Sequence, residues 1–232
     1  MTRPLGDWLA SGPYTLALSA GYFGFFAHAG VLAALEESGL KPAAVSGASA
    51  GALTGGLWAS GLSAAEISSL YAGLSKNDFW DPAPGFGLLR GQRFRALLAD
   101  VTGSRTVDDG RVPLRISVFD GLAARTRTAA GWRLAEAIYA SCAVPLLFQP
   151  LRRGRRLFWD GGIRDRLALH GVRGRVFVHR LPGGARRRGI ATLSVPGLPR
   201  LGPGALGDGP RAVDIARKAA LAALDRPLAE FR

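Results

Sequence analysis

A serine set between glycines and an aspartate at the end of an aromatic run are the side chains here best suited to covalent chemistry. Gly47-Ala48-Ser49-Ala50-Gly51 fits the pattern G-x-S-x-G. That pattern sets a serine on a sharp, strained turn between a strand and a helix, among neighbours small enough for the backbone to approach itself. VSGASAGALTGGLWA supplies strand, turn and helix in the required order. The start of such a helix brings N–H groups and a positive dipole end towards the reacting oxygen. The chemistry implied is nucleophilic attack by the Ser49 hydroxyl, which needs a base. His28 precedes the serine, while His170 and His179 follow Asp160, so a Ser…Asp…His order can be written with either late histidine. Nothing around those two recommends them. A buried carboxylate can act directly as base, and Asp160 in Phe158-Trp159-Asp160-Gly161-Gly162 is the best candidate. Two aromatics lead it from a strand into a Gly-Gly turn. A plain helix-start serine and an ordinary Asp-Gly turn are the unspecialised alternatives.

The elements that must position these groups are readable from periodicity. Pro13–Ser19 and Ala43–Ser46 are short apolar strands, each followed by a loop and a helix, at Phe26–Gly39 and Ala50–Ala59. Two β–loop–α units with near-continuous apolar strands predict a parallel sheet covered on both faces. Ser63 and Glu66 form a capping box at the head of a helix running to Leu74. A further helix is expected over Gln92–Val101, then a hairpin of Leu114–Phe119 and Ala124–Thr128 turning at Asp120-Gly121. A helix over Trp132–Ala140, a hairpin over Leu151–Trp159 turning at Gly154, and a strand at Arg175–His179 follow. Residues 181–211, rich in Gly and Pro, read as a surface loop or lid, and 212–224 as a closing amphipathic helix. No repeat or domain boundary is visible, so 1–232 reads as one domain.

A chain of 232 residues with 48% hydrophobic and 20% charged side chains excludes a disordered or fibrous protein. Cys142 is the only cysteine, which excludes a disulfide scaffold and a thiolate zinc cluster. Three histidines without close ligand spacing give no metal site, and no cofactor is expected. The net charge of +13 is unevenly spread: residues 1–89 hold three bases against six acids, and residues 90–232 hold 27 against 11. Such a basic half suits an anionic partner, whether phospholipid headgroups, nucleic acid or an acidic protein. Because nearly all the bases are arginine, coding bias and a solvated surface explain it equally well. No charge occurs between Trp8 and Leu35 or between Pro42 and Ala65, lengths that suit membrane spans. Gly12-Pro13, Gly21, Gly24 and Gly30 break the first run, and Gly47, Gly51, Gly55 and Gly56 the second, so both read as folded β–α units. A signal peptide cleaved near Ala27-His28-Ala29 is disfavoured by Asp7 and the single base Arg3. A cytoplasmic or peripheral membrane location is expected.

Taken together, HAGVLAALEESGL after a glycine-containing loop, VSGASAGAL, ASCAVPLLFQP and FWDGGIRDRLAL resemble, in this order, the patatin-like phospholipases, over about residues 14–170. These are lipolytic acyl hydrolases with a Ser–Asp dyad. The resemblance implies Ser49 as nucleophile, Asp160 as base, a lipid substrate, and a three-layer α/β/α sandwich with a mainly parallel central sheet. It also implies that the loop Ser19–Phe25 is an oxyanion hole, with Gly21, Tyr22 and Gly24 as its candidate residues. The loop departs from the family's Gly-Gly-Gly-x-Arg/Lys-Gly, keeping only Gly21 in place, and Tyr22 stands where a glycine is usual. Arg166 and Ala168 replace the family's Asn and Pro after Asp-Gly-Gly. These departures leave open a second reading, a catalytically weak or inactive scaffold that binds membrane or protein partners. Tyr22, Phe23, Phe25 and Phe26 are candidates for an acyl-chain wall, and Phe79, Trp80, Phe86, Leu88 and Leu89 for a membrane-touching loop; ordinary packing is the alternative for both. Arg152, Arg153, Arg155 and Arg156 are candidates for contacts to anionic lipid, or a solvated hairpin tip. No nucleic-acid motif is present, and no nucleic-acid partner is expected.

Overall fold

The computed structural model describes residues 3–183 and 185–232. Among them the first half comprises α1 (Leu5–Ala10), β1 (Thr15–Leu18), α2 (Phe25–Glu37), β2 (Ala44–Gly47), α3 (Ala50–Ala59), α4 (Ala64–Ala72), β3 (Gly87–Leu89) and α5 (Gln92–Thr102). The second half comprises β4 (Leu114–Asp120), β5 (Arg125–Thr128), α6 (Leu134–Cys142), β6 (Leu146–Phe148), β7 (Leu151–Arg153), β8 (Arg156–Asp160), β9 (Val176–His179), β10 (Ala191–Leu193) and α7 (Gly209–Leu224). An eight-stranded sheet runs β10-β9-β1-β2-β4-β8-β7, with β5 also paired to β4. The five strands from β10 to β4 are parallel, whereas β5 and β8 run antiparallel to β4, and β7 antiparallel to β8. Helices flank this mostly parallel sheet, as expected. β3 and β6 form a separate two-stranded parallel sheet.

The charge-free runs that suit a membrane by length are the most deeply packed helices. Ten of the thirteen residues of α2 and all ten of α3 are buried. A helix apolar on every side is one covered on every side, here by the sheet and by α4, α6 and α7. Among the described residues no helix is long and apolar enough to cross a membrane. Gly39, with φ of 69°, ends α2 in the left-handed turn that glycine favours. The Ser63–Glu66 capping box is formed: the Ser63 N–H donates to Glu66 Oε2 at 2.8 Å, and the Glu66 N–H donates to Ser63 Oγ at 3.2 Å.

Residues 181–211 are not simply a surface loop. Ala191–Leu193 adds an edge strand parallel to β9 with all three residues buried, and Leu181, Val195 and Leu206 anchor the surrounding segment in the core. Three apolar or β-branched residues among glycines and arginines are too short a run to register as periodicity. For the same reason α1 and the β3–β6 pair have little signal. α7 starts at Gly209, earlier than its apolar stripe, because Pro210 is tolerated in a first turn where its missing N–H has no intrahelical use.

α2 and α7 cross closely at Gly30. A Cβ there would collide with the carbonyl of Val213 and approach Ala216 Cβ to 2.9 Å. Gly30→Ala gains up to about 1 kcal/mol of helix propensity but loses about 1–3 kcal/mol to overpacking against backbone. The variant is therefore expected to unfold at lower urea concentration; an unchanged or higher midpoint would show that the two helices are free to slide apart.

Candidate active site

Ser49 lies between the end of β2 and the start of α3, with φ of 52° and ψ of −119°. A non-glycine residue in this region carries strain of about 1–3 kcal/mol, which its surroundings must impose. They do so through the end of α6. The Ser49 N–H donates to Ser141 Oγ at 2.9 Å, and Ser141 Oγ–H donates to the Ser117 carbonyl of β4 at 2.7 Å. The Cys142 thiol donates to the Ser49 carbonyl at 3.3 Å, and burial pushes its pKa up, holding it as a donor. The flanking glycines answer a demand for space: a Cβ on Gly51 would collide with the Leu18 carbonyl of β1, and one on Gly47 with the carbonyl of Gly51. Ala50 opens α3, so its N–H has no intrahelical partner.

Asp160 ends β8 on the far side of β4. Gly47 of β2 pairs with Ile116, and two residues along β4 Val118 pairs with Asp160, which sets the aspartate level with the turn holding Ser49. Its N–H donates to the Ala143 carbonyl at 3.0 Å, and its Oδ1 accepts the Gly162 N–H at 2.7 Å. A Cβ on Gly161 would collide with the Ser117 carbonyl, and one on Gly162 would approach Ala20 Cβ to 2.5 Å, so both glycines allow close approach. Asp160 is 6% exposed. Burial raises its pKa to about 6, against the opposing pull of the Ser49 side chain, the Gly162 N–H and the Arg166 charge. The carboxyl is thus nearly dry and tied at one oxygen by the Gly162 N–H.

The Ser19–Phe25 loop joins them from the end of β1. Its Ala20 N–H donates to the Arg166 carbonyl at 2.8 Å, which links it to the segment after Asp160. Gly21 and Tyr22 line the same cleft as Ser49 and Ala50. Gly24 does not; it caps the start of α2 and faces a neighbouring hollow beside Leu181. The left-handed residue of the loop is Phe23, with φ of 52°, so Tyr22 is spared the glycine-only conformation. Gly21 and Gly24 are required for another reason, because the Leu181 side chain occupies the space a Cβ would need at both.

The cleft has a cavity volume of about 100 Å³ and is walled chiefly by apolar side chains. Tyr22, Phe23, Phe79, Trp80, Phe94 and Phe148 are among its walls, with Lys76 as the charged residue of the lining. Phe26 is not part of it: it is fully buried, packed on Tyr71. Phe94 and the Val144–Phe148 segment were not separable in the sequence from ordinary core; their proximity to Ser49 follows from α5 packing on α6.

The family model for patatin-like phospholipases matches residues 16–172. The chain belongs to the patatin-like phospholipase family. Uncharacterized NTE family proteins of Mycobacterium tuberculosis and Mycobacterium bovis are 31% identical to it over 163 residues, which is 68% of this chain and 45% of theirs. The chain thus spans under half the length of these relatives. VipD from Legionella pneumophila superposes with a TM-score of 0.67 at 16% identity, covering 92% of this chain and 67% of that one. ExoU, in its complex with SpcU from the type III secretion system of Pseudomonas aeruginosa, does so with 0.52 at 19% identity, covering 98% and 53%. At such identities these two likenesses speak for the patatin-like fold alone.

Within this patatin-like domain the hairpin arginines stand apart from the cleft. Arg156 opens β8 and Asp160 closes it, about 13 Å away at strand spacing. Arg156 reaches the buried Asp120 at 2.5 Å, alongside Arg127 at 2.6 Å. Arg153 pairs with Glu136 at 3.4 Å and stacks over Trp132, and Arg152 turns back to the Gly154 carbonyl. Only Arg155 of the four has no such tie among the described residues. The histidines are also elsewhere. His28 and His179 are fully buried with their Nδ1 atoms 2.8 Å apart, and His28 Nε2 reaches the Ser19 carbonyl at 2.8 Å. Burial depresses both, His28 to about 4. His170 donates its backbone N–H to Asp165 Oδ2 at 3.0 Å. None of the three lines the cleft. Among the described residues no cluster of metal-ligating side chains forms.

The folded pKa of Asp160, about 6, lies above its ordinary 3.8, so between those values the folded chain binds a proton that the unfolded chain has lost. The associated stability is full below pH 4 or so and declines as pH rises through about 6. Asp160→Asn, which keeps an oxygen for the Gly162 N–H and removes the buried charge, is expected to raise unfolding free energy near pH 7.5 by roughly 2–3 kcal/mol. The gain should vanish near pH 4. Urea titrations of both proteins at the two pH values measure it, and a destabilised variant at neutral pH would contradict the burial cost.

Proposed function

We propose that this domain hydrolyses acyl esters of phospholipids or other glycerolipids through Ser49 and Asp160. What supports the reading is one conjunction: a strained serine lining an apolar cleft, and behind it, level across β4, a buried carboxyl of raised pKa that does not itself line the cleft. In the first half-reaction Ser49 Oγ attacks the ester carbonyl carbon while Asp160 accepts its proton. The N–H groups of Ala50 and of the Gly21–Tyr22 turn stabilise the negative oxygen. The C–O bond to the alcohol breaks, and Asp160 returns the proton to the leaving oxygen. Water then attacks the acyl-serine, losing a proton to Asp160, and the carboxylic acid departs as Ser49 regains its hydrogen.

A lipid must reach the cleft from an aggregate, and the apolar rim offers a means. Phe86 is 72% and Leu146 83% exposed, at the β3–β6 pair whose inner residues wall the cleft; Leu88, Trp80 and Tyr22 are exposed as well. Leu146 also holds a left-handed φ of 67°, an unusual place for an exposed branched apolar residue. The reading therefore includes peripheral contact with a lipid surface through this rim, in place of the arginine hairpin.

Ser49→Ala should abolish labelling by a fluorophosphonate probe, with the wild-type adduct mapped to Ser49 by mass; equal labelling of both proteins would sink the assignment. Asp160→Asn should lower kcat by at least about a thousandfold while remaining folded. In the wild type kcat/KM should rise about tenfold per pH unit below pH 6 and level off above it, because the base must be ionised.

Phe86→Ser combined with Leu146→Ser should cut hydrolysis of vesicle-held phospholipid severalfold and leave a soluble short-chain ester almost unaffected. Equal loss on both substrates would remove the surface role from the rim.

A further inference from the structure

The cleft lies at the carboxyl ends of the parallel strands. Their amino ends carry a second feature that the proposed hydrolysis does not use. Two adjoining hollows there share Val172 and Arg173. One lies at the starts of β1, β2 and β4, and the other, of about 490 Å³, at the starts of β9 and β10. With neighbouring strands about 4.8 Å apart, the groove from β4 to β10 is about 19 Å long. Arg115 lines its first part, Arg173 the junction, and Arg175, Arg187, Arg188 and Arg232 the second, and no Asp or Glu lines either.

Six arginines outside the groove meet carboxylates. Arg127 and Arg156 neutralise Asp120, Arg153 pairs with Glu136, Arg111 with Glu36, Arg217 with Glu37 and Arg226 with Glu230. Among the described residues, Arg115, Arg173, Arg187 and Arg188 make no ion pair. Arg175 is held in place by donating to the Trp8 carbonyl and stacking over the Trp8 ring, 4.5 Å from its centre. Left-handed glycines turn the chain on both sides of the junction, Gly171 at φ 71° and Gly174 at φ 81°, and Gly189 at φ 81° follows Arg188. Like charges gathered in one groove repel one another until an anion joins them. A guanidinium fork matches two phosphate oxygens at once, which a plain point charge does not.

We propose that this groove binds a ligand bearing clustered phosphate groups. A soluble oligophosphate and a phosphorylated lipid headgroup share that chemistry. The groove and the Ser49 cleft occupy opposite ends of the strands, so a surface held by the apolar rim leaves the groove facing away, which favours the soluble ligand. Binding of clustered phosphates by the groove stands apart from the proposed hydrolysis, whereas the preference for a soluble ligand rests on the proposed surface role of the rim.

Calorimetric titration of the full chain with sodium tripolyphosphate tests it, alongside co-sedimentation with phosphatidylcholine vesicles with and without a phosphoinositide. Saturable tripolyphosphate binding that weakens at least about tenfold in Arg173→Gln/Arg187→Gln/Arg188→Gln is expected, as is weakening by added salt. The control Arg152→Gln/Arg155→Gln should bind like wild type, and the triple variant should keep wild-type hydrolysis of a soluble ester. Phosphoinositide-dependent sedimentation lost in the triple variant would assign the headgroup as the source; its absence, with tripolyphosphate still bound, would assign the soluble anion. No saturable binding of tripolyphosphate, equal binding by the triple variant, or arginine-dependent binding of single-stranded RNA alone would overturn the proposal.

Discussion

β4 acts as a ruler between two residues 111 positions apart in the chain. Its first half pairs in parallel with β2, whose end leads to Ser49, and its second half pairs antiparallel with β8, which ends in Asp160. A slip of one residue in either ladder would turn the affected strand's side chains to the opposite face and take Ser49 and Asp160 out of level with each other. The glycines guard these registers: Gly161 lets β8 close against Ser117 of β4, and Gly51 lets α3 close against β1. Ser141 ties the same two features together, accepting from the Ser49 backbone and donating to Ser117.

The arrangement is costly at both ends. Ser49 holds a conformation that non-glycine residues avoid, and Asp160 holds a carboxyl where burial opposes its charge. The surrounding core offsets this. α2 and α3 are buried almost all round, and the aromatic stack of Phe25, Phe26 and Tyr71 braces the loop that carries Gly21 and Tyr22. The buried His28–His179 pair sits beneath the same loop, with His28 bonded to the Ser19 carbonyl. Scaffold and site are therefore one problem: the burial of apolar helices on every side supplies the stability that a strained serine and a buried carboxyl take away.

The two ends of the sheet differ in chemistry. At the carboxyl ends the walls are aromatic and aliphatic, with exposed apolar residues on the separate β3–β6 pair. At the amino ends arginines gather with no Asp or Glu among the described lining residues. The net charge of +13 says that basic residues are in excess, but it does not say where. The arginine hairpin, conspicuous as a run, is largely spent on Asp120, Glu136 and a ring face.

What the sequence by itself determined is whatever depends on neighbours along the chain. The G-x-S-x-G turn, the Asp-Gly-Gly turn, the Ser63–Glu66 capping box and the β–α alternation each need only a few contiguous residues, and each was legible. The fold class followed from apolar strands alternating with helices, and the family from the order of four short segments. Tertiary structure alone decided what depends on distance through space. It placed β10 at the sheet edge through three residues, put the left-handed conformation on Phe23 instead of Tyr22, and turned Gly24 away from the cleft. It also joined His28 to His179 and gathered arginines from separate loops into one groove. Backbone hydrogen bonds within a turn are local and leave a signature in residue type, whereas packing and charge convergence join residues whose separation along the chain carries no periodicity.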